Sequence, residues 1–414
     1  MTPPAPVIAD GIRAYRNPRA SPPDARYADD HAAILNDAGF NAAWREIRQW
    51  PGYAPTPLVP LSALAARLGV AGIFYKDESH RFGLKSFKAL GGAYAVYRQL
   101  ALAIAKARDG TIIASRELLV GAFGAITKTI TVTCATDGNH GRSVAWGAER
   151  FGCRCVIFVH ERVSAARREA IARYGAEVIV VPGNYDDSVR HAAAEAEKNG
   201  WIVVSDTTYD GYRDIPVDVM HGYGVLAREV VTQVAQPAKD APPPTHVIVQ
   251  AGVGGLAAAV CASFWIAWGA RRPRFIVVEP SAADCCFESG LAGAPVAVGG
   301  ELDTVMAGLA CGEVSPLAWR IVDAGANAYA AIDDRFALDA MRALATPQGD
   351  DPALVAGETG GCGLALLLAA DGQANVRDVL ELDASSRVLL LGTEGDTDPA
   401  LYREIVGDVA AASA

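Results

Sequence analysis

The chain has 414 residues, 51% hydrophobic and 20% charged, enough for two cores of ordinary size and too apolar for a mainly disordered chain. Its 41 glycines follow no three-residue period, which excludes a collagen-like fibre. Against 47 acidic residues stand 37 basic ones, a net charge of −10 with no Lys/Arg-rich block. Nucleic acid is therefore a poor partner, and a small molecule is the expected one.

Residues 1–35 are rich in Pro, Ala and Asp and read as an irregular lead-in. The start has no basic stretch followed by an apolar core, so no signal peptide is expected and the cytoplasm is the simplest address. Strands are then predicted at 73–76, 129–134, 155–159, 178–181 and 201–205, and helices at 87–101, 139–151 and 186–199. A helix face of Val163, Ala166, Ala170 and Tyr174 ends at Gly175. Strands at 246–250, 275–279 and 388–391 form a second series. Such alternation implies right-handed crossovers and mostly parallel sheets. The stretch 236–245, with four prolines, reads as a boundary or surface loop. The expected fold is α/β, with two parallel or mixed three-layer domains. Residues 1–100 plus 240–414 form the larger, cofactor-binding domain, and 101–239 a smaller inserted one. Residues 251–270 carry no charge over the length of a membrane span. Gly252, Gly254 and Gly255 open the stretch behind a strand, so a buried helix is expected and no membrane partner.

The eight cysteines do not read as a disulfide scaffold in a chain this long. Cys153 and Cys155 would share one strand face, a spacing too tight for a zinc loop; Cys285, Cys286 and Cys311 are candidates to meet after folding. With no H-E-x-x-H, paired C-x-x-C or G-x-S-x-G, neither a metal nor a serine nucleophile is expected.

Three segments can carry chemistry. Strand 246–250 runs into Gly252, Val253, Gly254 and Gly255 at a helix start, where outward N–H groups and the helix dipole favour an anion. As G-x-G-x-x-A this turn suits a dinucleotide, with Glu279 on a ribose; equally it suits the phosphate of pyridoxal phosphate, or it is a turn that merely packs. Lys88, after Ser86 and Phe87, starts an apolar helix. A desolvated lysine there can form a Schiff base, whereas most lysines, Lys85 included, are solvated surface groups. Thr136, Asp137, Gly138, Asn139 and His140 make a second glycine-bearing turn that opens a helix and suits a substrate carboxylate. Asn139 can donate to a phenolic oxygen, and a structural role for His140 is the ordinary alternative.

These segments occur in the order seen in pyridoxal-phosphate enzymes of fold type II (tryptophan synthase β-like). ATDGNHGR (135–142), DTTYDGYRDIP (206–216), MAGLACGE (306–313), GETG (357–360) and TEGDTD (393–398) resemble the diaminopropionate ammonia-lyase family across roughly residues 40–405. The resemblance implies pyridoxal 5'-phosphate on Lys88, its phosphate on the N–H groups of residues 252–255, its ring oxygen near Asn139 and its pyridine nitrogen near Gly392 and Thr393. It implies substrate contacts from Thr136, Asp137, Gly138, His140 and Asp206, and a homodimer. Generic dehydratases have a small hydroxyl residue where Asp137 stands. A carboxylate there would repel the carboxylate of serine, and a second substrate ammonium would compensate. Asp137 and Lys88 would then remove the Cα proton from opposite faces. Asp206 follows a strand, where ligand contacts of parallel sheets gather, although a turn residue is the plain alternative and Asp210 or Asp214 could replace it. The expected reaction is α,β-elimination of ammonia from 2,3-diaminopropionate. The alternatives are a serine/threonine dehydratase, another β-elimination lyase, a nicotinamide-dependent oxidoreductase using residues 252–257, and a relative that only binds.

Overall fold

The computed structural model describes residues 5–108, 110–136, 138–209, 211–236, 242–346 and 349–407. Asp137 and Asp210 lie outside the described residues. The strands in chain order are β1 (Val7–Ala9), β2 (Ile12–Arg16), β3 (Leu58–Pro60), β4 (Gly72–Asp77), β5 (Thr131–Ala135), β6 (Arg154–His160), β7 (Glu177–Val181), β8 (Ile202–Val203), β9 (His246–Gln250), β10 (Arg274–Pro280), β11 (Ala328–Ile332) and β12 (Arg387–Gly392).

The chain forms two compact units. The larger comprises Met1–Asn36, Pro55–His80 and Leu226–Ala414; the smaller comprises Asp37–Ala54 and Arg81–Val225. Boundaries near 100 and 240 were expected from composition. A cut at 100 would fall inside the helix Lys88–Ala107, and the crossing after Val225 falls inside the uninterrupted helix Asp214–Ala235, where no change of composition marks it.

In the larger unit one sheet has the order β1-β2-β11-β10-β9-β12-β4-β3. Strands β11, β10, β9, β12 and β4 run parallel, with antiparallel pairs at both edges. His246–Gln250 and Ala328–Ile332 are buried along their whole length, as parallel strands covered on both faces should be. The irregular lead-in expected over 1–35 is corrected here: β1 and β2 form a hairpin, and β2 pairs with β11. The uncharged stretch becomes the buried helix Gly255–Trp268. Among the described residues no helix is long and apolar enough to cross a membrane. From β9 the chain winds one way to β10 and β11, while β12 and β4 lie on its other side. Ligands of such sheets gather beyond the strand ends at that reversal.

The smaller unit has a parallel sheet of order β7-β6-β5-β8, with its own reversal between β5 and β8. The helices Lys88–Ala107 and Asn139–Phe151 pack in van der Waals contact. A Cβ on Gly92 would lie 1.9 Å from Ser143 Oγ, so glycine sets the approach of the two helices that begin at Lys88 and Asn139.

Candidate active site

Both sheet reversals collect the residues singled out in the sequence. In the smaller unit, β5 ends at Ala135 and Thr136 closes the following turn. Its hydroxyl accepts the N–H groups of Gly138 at 3.0 Å and Gly141 at 3.1 Å, which aims the start of the helix Asn139–Phe151 out of the sheet. β8 is only two residues long, where a strand over 201–205 was expected. Side chains capture the backbone beyond it: His140 Nε2 meets Val204 O at 2.7 Å, while the Tyr212 hydroxyl donates to Val203 O and accepts from Ser205 N, each at 2.9 Å. That bend delivers Asp206.

Asp206 Oδ2 lies 2.5 Å from Lys88 Nζ, and the two side chains are 18% and 20% exposed. The Phe87 and Tyr223 rings flank the ammonium, their centroids 5.4 and 5.7 Å from Nζ. A carbonyl only accepts, so His140 Nε2 carries the hydrogen it donates to Val204; Nδ1 lies 3.8 Å from Asp206 Oδ2. Burial would raise the Asp206 carboxyl, but the Lys88 ammonium and the His140 ring overcome it and hold the carboxyl well below the usual carboxylate range. Burial also lowers His140, against the pull of Asp206. The result is a carboxylate that stays charged, in direct proton contact with a lysine and sheltered from most water.

In the larger unit, β9 ends at Gln250 and the chain turns through Gly252, Val253 and Gly254 into the helix Gly255–Trp268. Gly254 has φ +87°, a conformation that glycine takes without strain. Val253 O accepts from Ser315 N at 2.9 Å, which anchors the turn. The first N–H groups of the helix have no carbonyl of its own to bond, so they are available to an anion. Cys285 and Cys286 donate to Gly252 O at 3.6 and 3.7 Å, and a Cβ on Gly252 would lie 3.0 Å from Cys311 Sγ. The three cysteines thus border the turn, as the sequence allowed, and none of the eight is in a disulfide. β12 ends at Gly392, where a Cβ would fall 2.2 Å from the Tyr75 ring; no larger side chain fits, and Thr393 supplies the hydroxyl of this segment. Gln250 Nε2 donates to that hydroxyl oxygen at 2.8 Å.

Glu279 does not reach toward a ribose. It is fully buried and accepts the N–H groups of Cys286 at 2.9 Å and Phe287 at 2.7 Å. Its carboxylate and the Cys285 and Cys286 sulfurs lie within 4.8 Å of one another. Burial pushes the carboxyl from the usual 4.5 up to about 8, against those N–H groups. The folded protein therefore holds this proton in a range where the unfolded chain has lost it, and stability falls as pH rises from 4.5 to about 8 and levels off above. Glu279→Gln is neutral at every pH. Its melting temperature relative to the native chain is expected to gain on the order of 5 °C between pH 5 and 8 in calorimetry; a constant difference would mean that Glu279 is ionised in the fold.

A phosphorylated pyridine fits this donor set. The turn offers N–H groups to an anion, Thr393 offers a neutral hydroxyl, and two buried polar atoms, Gln250 Oε1 and Thr359 Oγ1, have no partner among the described residues. The family of pyridoxal-phosphate dependent enzymes matches residues 49–390. The chain belongs to that family. It is 42% identical over 358 residues to diaminopropionate ammonia-lyase of Escherichia coli (strain K12), covering 86% of this chain and 88% of that one. Holo diaminopropionate ammonia lyase from Escherichia coli superposes with a TM-score of 0.86 at 38% identity, over 96% of this chain and 98% of that one. The same enzyme in complex with an aminoacrylate-PLP azomethine reaction intermediate superposes with a TM-score of 0.83 at 36% identity, with the same coverage of each chain. The fold is that of fold type II, and the nicotinamide reading of residues 252–257 falls with the family match and the inward turn of Glu279.

Lys88, Phe87, His140 and Asp206 come together in the smaller unit; Asn139 heads its helix beside them in sequence. Gly252, Val253, Gly254, Gly255 and Thr393 lie at the sheet reversal of the larger unit. Lys85, expected as a solvated residue, is half-buried with φ +54°. Sequence reasoning missed Tyr223, Tyr212 and Gln250. Only Gln250 carried a signal, a polar residue closing an apolar strand immediately before the glycine turn.

Proposed function

We propose that the protein eliminates ammonia from 2,3-diaminopropionate with pyridoxal 5'-phosphate, giving pyruvate and a second ammonia. The observation that carries the substrate is the 42% identity to the Escherichia coli diaminopropionate ammonia-lyase over 86% of the chain. The cofactor, when bound, supplies a sink for the electron pair released at the substrate Cα.

In this reading Lys88 Nζ is the point of attachment, the N–H groups of Gly252, Val253, Gly254 and Gly255 bind the phosphate, Asn139 contacts the ring oxygen and Thr393 the ring nitrogen. Phe87 packs beside the lysine. Thr136, Gly138 and His140 line the substrate side. Asp206, kept ionised beside Lys88, holds Nζ in place and balances its charge. Asp137 pairs with the substrate β-ammonium and takes the Cα proton of one isomer, while Lys88 takes that of the other. Loss of the β-nitrogen leaves 2-aminoacrylate, which takes up water to give pyruvate and the second ammonia. We place the enzyme in the cytoplasm as a homodimer; eight cysteines without a disulfide suit a reducing compartment.

The test is an absorbance spectrum of the purified holoenzyme before and after 2,3-diaminopropionate, with pyruvate and ammonia assayed alongside and serine as the competing substrate. A shifted visible band with ammonia and pyruvate in a 2:1 ratio is expected. A band that serine moves and diaminopropionate does not would assign the chain to the dehydratases. Run on both isomers with Asp137→Asn, the same assay should lose one isomer preferentially; equal loss would end the division of labour between Asp137 and Lys88.

A further inference from the structure

Gln250 is 2% exposed and Thr393 1%, so their contact is made away from solvent. Gln250 Nε2 lies 2.8 Å from each of three oxygens: the carbonyls of Thr359 and Leu391 and the hydroxyl of Thr393. The carbonyls decide which way the amide faces, since turning it over would set Oε1 against both of them. The two N–H bonds of the amide are shared among the three oxygens; an amide nitrogen cannot accept, so Thr393 Oγ1 accepts in this contact and its own hydrogen is left for another acceptor. Among the described residues no group takes that hydrogen, and the Gln250 contact is the one hydrogen bond Thr393 Oγ1 makes there. Oε1 of Gln250 is left buried without a partner there, a costly arrangement for a residue that only filled space.

We propose that Gln250 is a positioning residue, whose amide commits the Thr393 hydroxyl to donate to the pyridine nitrogen of the cofactor and so keeps that nitrogen unprotonated. The proposal rests on Thr393 as the ring-nitrogen partner. Without the Gln250 amide the Thr359 carbonyl loses this donor and Leu391 O keeps only the N–H of Thr393, so both compete for the Thr393 hydrogen. An uncharged ring nitrogen is a weaker electron sink than a protonated one, so the elimination relies on prompt departure of the β-nitrogen rather than on long storage of charge in the ring.

The test uses holoenzyme reconstituted with pyridoxal phosphate labelled with 15N in the ring, read by the nitrogen chemical shift. The native enzyme should show an unprotonated, hydrogen-bonded nitrogen. Gln250→Met and Thr393→Val should each move it to the shift of a pyridine without a donor, and the double variant should move it no further. Turnover of Gln250→Met should fall about tenfold with KM unchanged, the size of one lost hydrogen bond. If Gln250→Met keeps the native shift while Thr393→Val changes it, the positioning role is wrong and the Thr393 reading stands. If Thr393→Val also keeps it, the Thr393 reading fails and takes the proposal with it. A protonated nitrogen in the native enzyme overturns the proposal outright. Gln250→Leu has no polar atom and a similar size; it should give the same shift as Gln250→Met and serves where that variant does not fold.

Discussion

Lys88→Ala is expected to lower turnover of both isomers of 2,3-diaminopropionate by about four to six orders of magnitude, as removal of an attacking group from a catalytic unit does. Lys88 opens the helix Lys88–Ala107 with its ammonium 2.5 Å from Asp206 Oδ2 and between two aromatic rings. The other lysine of that turn, Lys85, is held at φ +54° three residues before the helix. Borohydride reduction of the native holoenzyme followed by peptide mass analysis should find the cofactor on Lys88 and, in Lys88→Ala, on no residue. Cofactor recovered on Lys85, or more than about 1% of native turnover in the variant, would transfer the role elsewhere. Circular dichroism should be unchanged, since alanine is a good helix former at that position.

The second large effect is expected from Asp206→Asn. The amide carries no charge to balance the Lys88 ammonium and hold it in place, so turnover should fall about 10²- to 10³-fold. The pH dependence of stability separates charge from shape. Burial opposes ionisation of Asp206, yet Lys88 and His140 depress its folded value below the usual 3.8. The stability this supplies is complete above the unfolded value and is lost as pH falls through the folded one. Melting curves of native and Asp206→Asn protein should therefore differ most near pH 7 and converge below about pH 4. A difference independent of pH would reduce Asp206 to a turn residue. That outcome would leave Lys88 without its charge partner.

Local periodicity explains which parts of the fold were legible. The helix Asn139–Phe151 lies where its apolar spacing put it, closed by Gly152 at φ +74°, because every signal for it sits within the segment. The hairpin of β1 and β2 escaped notice because Ile12–Arg16 has a mixed burial pattern and its partner β11, Ala328–Ile332, is mostly alanine, with Ile332 alone among the β-branched residues that announce a strand. The glycine turn at 252–255, Lys88 and Asp206 stood out in the sequence as motif residues. Gln250 was not, since its three acceptors come from residues 109 to 143 positions away. Tyr223 was hidden in the same way, one more aromatic on an apolar helix face until the fold sets its ring, tilted by 54°, 4.7 Å from that of Phe87.

The space beside Gly392 constrains how this enzyme can diverge. Tyr75 fills it with a ring whose hydroxyl donates to Gly360 O at 3.2 Å, so a serine at 392 would collide with an anchored side chain. A smaller residue at 75 would instead leave a buried gap and an unsatisfied carbonyl. Each change is harmful alone, and the pair is tolerable only together. Moving the hydroxyl from position 393 to 392 is therefore a path with a valley in it: a lineage must cross it by a double step or first remodel the floor under β12. A library that randomises 75, 392 and 393 jointly should recover solutions that no sequence of single selections reaches.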